Sequence, residues 1–173
     1  GLILCQWAKA LGAVIVGTVS TKEKAEVARA AGCHHPVVRS ETNFVDVVRE
    51  VTDGEGCAVV YEAIGKDTMR ASLDSLRPMG VCAAYGHVSG PPDPVDIIQD
   101  LGRRGSLFIT RPAIMHYVAK RSDLEWTARD LFKAISDGIL EANINYEYAL
   151  KDAVKAHEAI ESGKTLGATV LVP

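Results

Sequence analysis

Ser20-Thr21-Lys22-Glu23-Lys24 follows directly on the apolar run Ala13–Val19. Hydroxyls and ammonium groups at such a place bind phosphate through charge-assisted hydrogen bonds. Ser20 and Lys24 are the pair best suited to it, and Arg39, just past the next apolar run, can point the same way. Gly1 opens a helix-like stretch, and the free N–H groups of a first helical turn can receive a pyrophosphate. Gly86, in Tyr85-Gly86-His87, lets backbone approach a ligand after another apolar run. The vicinal pair His34-His35 has no further metal ligands around it. Cys5, Cys33, Cys57 and Cys82 contain no C-x-x-C pair, so no metal site is expected. They read as buried thiols of a reducing compartment. His116 and His157 read as surface groups, and Trp7 and Trp126 as packing on helix faces. The sequence has no G-x-S-x-G, H-E-x-x-H or Walker-type phosphate loop.

The elements that must hold these residues alternate. Leu2–Leu11 reads as a helix stopped by Gly12, and Ala13–Val19 as a buried strand. Thr21 caps a helix over Lys22–Ala31, His35–Val38 is a weak strand, and Asn43–Val51 is a helix. Asp53-Gly54-Glu55-Gly56 is a turn before the strand Cys57–Glu62. A helix over Thr68–Leu76, closed by Pro78 and Gly80, precedes the strand Val81–Gly86. A breaker-rich loop, a short helix over Val95–Leu101 and the strand Ser106–Thr110 complete the series. After Pro112 the rhythm changes: a helix over Asp123–Gly138, an extended Tyr146–Leu150, a helix over Asp152–Ser162 and a strand over Ala168–Val172.

Short apolar strands separated by helices predict a doubly wound α/β fold with a parallel sheet, the dinucleotide-binding (Rossmann) class. Ligands of such sheets bind at the carboxyl ends of the strands. An NAD site carries Asp or Glu at the end of the second strand, where it holds the ribose 2′-hydroxyl and repels a 2′-phosphate. Ser20 and Lys24 stand in place of that acid, so NADPH is the expected cofactor. A net charge of −3 and the lack of an aromatic-basic strip argue against nucleic acid as a partner. No apolar run approaches the ~20 residues needed to cross a bilayer.

The segments GLILCQWAKALG (1–12), GTVSTKEK (17–24), VYEAIG (60–65), GSLFITRP (105–112) and LKDAVKAHEAIESGKTLG (150–167) are specific in combination. Through them the chain resembles the zeta-crystallin-like quinone oxidoreductases, zinc-independent members of the medium-chain dehydrogenase/reductase superfamily. The resemblance implies a Rossmann domain over residues 1–121, lacking its first strand. Residues 122–173 would then supply a connecting helix and the C-terminal part of a GroES-like catalytic domain. Without that first strand, the neighbouring strands are expected to be destabilised, rearranged or paired with another copy.

By the same resemblance Gly1 matches the last glycine of the family's glycine-rich loop. Lys24 matches the lysine that meets the 2′-phosphate, Ser20 a neighbouring glycine or serine, and Arg39 replaces a tyrosine. Ala63 is expected against the cofactor, with Tyr85, Gly86 and Ser89 along the nicotinamide ribose; His87 stands where asparagine is frequent. Gly163 replaces an arginine, leaving Lys164 as a phosphate contact. The implied reaction is direct hydride transfer from NADPH to a quinone or similar acceptor, with no general acid among these residues. A cytoplasmic homodimer through the Ser106–Thr110 edge strand is expected. An enoyl or acryloyl reductase of the same superfamily, and a non-enzymatic crystallin or RNA-binding relative, are the alternatives.

Overall fold

The expected alternation is present, with boundaries decided by where each backbone amide finds a partner. The computed structural model describes residues 1–163 and 165–173. Two compact units form: residues 1–36 with 129–173, and residues 37–128.

The first unit opens with α1 (Leu2–Ala10), whose Gly1 cap offers no side chain. Strand β1 (Val16–Val19) is shorter than the apolar run that contains it. Ala13 N donates back to Ala8 O, and Ile15 N donates to His34 Nδ1, so neither amide enters a ladder. Thr21 caps α2 (Lys22–Ala30), its hydroxyl accepting from Lys24 N at 3.2 Å. Ala25 and Ala28 turn that helix's small-residue face inward, where both are buried. β2 (His35–Val38) pairs with β1. Near the C-terminus, β6 (Ile144–Ala149), α7 (Ala153–Glu161) and β7 (Ala168–Val172) form a β-α-β unit with parallel strands. The expected extended segment is therefore one strand of a pair over residues 146–149, while Leu150 already opens a 3-10 turn.

In the second unit Asn43 caps α3 (Phe44–Val51), whose Val45 and Val48 are buried. Strands β3 (Cys57–Glu62), β4 (Leu76–Ala84) and β5 (Phe108–Thr110) form a parallel sheet in the order β3-β4-β5. Between β3 and β4 runs α4 (Met69–Asp74). This helix stops two residues short of the expected Leu76, because Leu76 already pairs with Cys57 as the start of β4. Residues 77–80 then swing out of register before Val81 meets Val59, with Met79 at φ 59°. Pro78 has no N–H to give a ladder, which suits it to that bulge.

Residues 97–102 wind as a π-helix over Ile97–Gly102, later than the helix expected from Val95. A short α5 (Ile114–Tyr117), unmarked in the sequence reading, precedes α6 (Arg121–Ser136). The core of this unit joins Met69, Leu73, Leu76, Cys82, Ala84 and Leu107. α4 is thereby clamped onto the sheet, and the turn between β3 and α4 is held at the sheet's carboxyl end.

Candidate functional site

Parallel strands end together, so β3 and β4 deliver two loops to one edge. Tyr85 N and Gly86 N both donate to Glu62 O, at 2.9 and 3.2 Å. Val88 N donates to Ala63 O at 3.3 Å, and Ser89 N to Ile64 O at 2.8 Å. The Ser89 hydroxyl donates to Ile64 O (2.9 Å) and accepts from Asp67 N (3.0 Å). A side chain on Gly86 would run into the backbone of Ala63, so the two loops touch main chain to main chain. Ala63, Tyr85, Gly86 and Ser89 are thus brought together, and Tyr85 is 47% exposed at the rim.

Two groups that the sequence reading passed over organise this edge. Glu62 is 3% exposed, and its carboxylate accepts from Ile64 N (2.6 Å), Gly65 N (3.0 Å) and the hydroxyls of Thr68 (2.9 and 3.0 Å) and Ser72. The available signal was an acid closing an otherwise apolar strand, with hydroxyl residues six and ten positions on. Arg111, at the end of β5, donates through Nη1 to Ala84 O at 2.8 Å and lies 3.4 Å from His87 Nδ1 through Nη2. Its signal is weaker, because only the β4–β5 pairing brings residue 111 beside residues 84 and 87.

In the other unit, Ser20 is exposed at the end of β1. Lys24 Nζ donates to Gly163 O at 2.7 Å. An ammonium has three N–H donors, so one such bond leaves capacity for an anion. Gly1 is exposed at the start of α1. Arg39 is exposed on the turn after β2 and belongs to the unit that carries the β3–β4 loops. Lys164 lies outside the described residues.

The thiols divide. Cys33 and Cys82 are buried, whereas Cys5 and Cys57 are half-buried, so burial of all four does not hold. Burial pushes the Cys82 thiol up to about 11 and raises that of Cys57. A hydrogen bond with Cys33 brings Cys5 down to about 7 and raises Cys33 in turn. His116 and His157 are exposed. Trp126 is 63% exposed on α6, where packing was expected. Among the described residues no group of three or more His, Cys, Asp or Glu is placed to hold a metal ion. A shallow hollow of about 360 Å³ is lined by Gln6, Lys9, Ala10, Ala30, Gly32 and Ile139, among others. It sits at the C-terminal ends of α1 and α2, which face away from the strand ends where such folds bind ligands.

A parallel sheet whose glycine-bearing loops gather at its carboxyl edge places the chain in the Rossmann-like α/β class. The chain belongs to the zinc-binding dehydrogenase family, whose model matches residues 1–129. It is 50% identical over 173 residues to a 2-haloacrylate reductase of Burkholderia sp, covering 100% of this chain and 52% of that protein. It is 39% identical over 175 residues to quinone oxidoreductase 1 of Escherichia coli, covering 100% of this chain and 53% of that protein. Among solved structures, the Escherichia coli quinone oxidoreductase complexed with NADPH matches with a TM-score of 0.94 at 39% identity, over all of this chain and 53% of that one. The crystal structure of 2-haloacrylate reductase matches with a TM-score of 0.93 at 50% identity, over all of this chain and 54% of that one. The chain therefore spans about half the length of the relatives it matches.

Proposed function

We propose that this chain is the cofactor-binding portion of an NADPH-dependent quinone oxidoreductase. Residues 1–121 are its Rossmann portion; residues 122–173 are the connecting helix and the C-terminal part of a GroES-like catalytic domain. The observation that carries the reading is the donor set after β1: the Ser20 hydroxyl and the Lys24 ammonium, with no acid at Thr18, Val19 or Ser20. That set fits a 2′-phosphate, and an NAD site would want a carboxylate there. Identity to quinone oxidoreductases over the whole chain, one of them solved with NADPH, supports the same reading.

Bound NADPH supplies the hydride that reduces the acceptor. The residues of the chain bind and orient. Gly1, at the first turn of α1, receives the pyrophosphate through backbone N–H groups. Ser20 and Lys24 would hold the 2′-phosphate, with Arg39 as a further candidate for it and Lys164 as a phosphate contact. Tyr85, Gly86 and Ser89 would line the nicotinamide ribose and Ala63 would lie against the cofactor, with Gly86 keeping the main chain close. Ser89 is already bonded to Ile64 and Asp67, so its hydroxyl would have only its remaining lone pair to offer a ribose.

The acceptor has a second reading. The 50% identical relative is a 2-haloacrylate reductase, which favours an α,β-unsaturated acid over a quinone. Side-by-side rates with a quinone and a 2-haloacrylate decide between the two. A cytoplasmic homodimer through the β5 edge completes the proposal. No helix among the described residues is long and apolar enough to cross a membrane.

Titration with NADPH and NADH, on the chain and on Lys24→Ala, tests the cofactor assignment. NADPH is expected to bind more tightly, and the variant to lose about tenfold or more of its NADPH affinity, the worth of a hydrogen bond to a charged group. NADH affinity should be unmoved. Equal binding of both nucleotides by a folded chain would overturn the 2′-phosphate assignment.

A further inference from the structure

We infer that Glu62 is the positioning residue of the nicotinamide-side edge. The inference rests on the cofactor reading above and extends it to a residue that touches no ligand. The carboxylate is 3% exposed, and every bond it makes is to a neighbour within the β3–α4 segment. It accepts from both amides of the turn, Ile64 N and Gly65 N, and from the hydroxyls of Thr68 and Ser72. Those hydroxyls belong to the α4 cap and to α4 itself, which the core holds rigidly through Met69 and Leu73. The turn at 63–65 is thereby tied to a helix packed into the core.

What rides on that turn is the whole second loop. Ile64 O takes Ser89 N and Ser89 Oγ, Ala63 O takes Val88 N, and Gly65 O takes Thr68 N and Met69 N. Lys66 N in turn donates to Gly90 O at 3.1 Å. Gly65 has φ 92° and is so close to His87 and Gly90 O that no side chain fits there. Ala63, Gly86 and Ser89 therefore keep their mutual placement only while the turn keeps its shape, and four donors converging on one buried carboxylate set that shape. Removing the acceptor leaves two amides and two hydroxyls buried without a partner, and the turn relaxes to satisfy them.

The test compares two probes on the full chain: NADPH, which carries both the 2′-phosphate and the nicotinamide riboside, and adenosine 2′,5′-bisphosphate, which carries the phosphate end without the nicotinamide. Glu62→Ala is expected to lose about tenfold in NADPH affinity while the bisphosphate stays within about twofold. Glu62→Gln recovers most of that loss. Its carboxamide oxygen accepts from the two amides, and the Thr68 and Ser72 hydroxyls turn to accept from its NH2 group. Thr68→Val and Ser72→Ala, which each strip one hydroxyl from the carboxylate, move NADPH alone by about threefold. They decide the matter if Glu62→Ala does not fold. Folded variants that bind NADPH like the parent, or lose both probes equally, overturn the inference, because a purely structural role predicts no difference between the probes. If the unmodified chain binds neither probe, the cofactor reading itself fails, and Glu62 loses its proposed role with it.

Discussion

At the scale of single residues, titration separates groups that composition treats alike. Cys5 is half-buried, and its thiol is lowered to about 7 chiefly by the hydrogen bond with Cys33, while burial holds Cys82 at about 11. At pH near 7.5 a haloacetamide should therefore alkylate Cys5 first, with a rate midpoint near 7. Cys33→Ala should move that midpoint up toward about 8.5, the ordinary thiol value. Peptide mapping of the alkylated chain checks both.

Asp100 makes a second residue-scale case. It is 6% exposed and accepts from Arg104 Nη1 (2.9 Å), from Asp96 N (2.7 Å) and from Arg70. The Arg70 hydrogen bond, ahead of the others, holds its carboxyl below the usual 3.8. The unfolded chain then binds the proton first as acid is added. Stability from Asp100 is present above the ordinary carboxylate range and is lost as pH falls through the folded value. Urea unfolding between about pH 5 and pH 2 should show a smaller acid loss in Asp100→Asn than in the parent.

At the scale of elements, loops are held by backbone closeness that no side chain reports. Gly86 packs against Ala63 main chain, so Gly86→Ala must push the β3 and β4 loops apart. The cost expected for overpacking is about 1–3 kcal/mol, with NADPH binding weakened alongside. A lowered denaturation midpoint together with the binding titration checks this. One cap was legible beforehand: Thr21 accepts from the first turn of its helix, whereas Asn43, read as a helical residue, caps α3 instead. The β4 start was not legible, because Leu76 reads equally well as the end of an apolar helix. Its pairing with Cys57, nineteen residues earlier in the chain, is invisible to local periodicity.

At the scale of the whole molecule, the sheet β3-β4-β5 leaves β5 as one edge, with Phe108 61% exposed. Edge strands with exposed apolar side chains pair with other chains unless charged or covered. A homodimer through this strand should appear as twice the chain mass in light scattering. Phe108→Lys should return the mass to that of one chain without changing the circular dichroism. A dimer that survives the substitution places the interface elsewhere.

Residue order alone determined the α/β alternation, the Thr21 cap and the phosphate-compatible Ser20–Lys24 set. Each of these depends on neighbours within a few positions, and propensity and periodicity report such neighbours. The long-range resemblance of five separated segments extended that to the dehydrogenase family. Tertiary structure alone decided that Glu62 sits beneath the turn its own strand leads into, that Gly86 meets Ala63, and that Arg111 reaches Ala84 and His87. These contacts depend on strand register and on α4 packing over the sheet. Register is a sum of many weak pairings across the chain, so no single motif announces it.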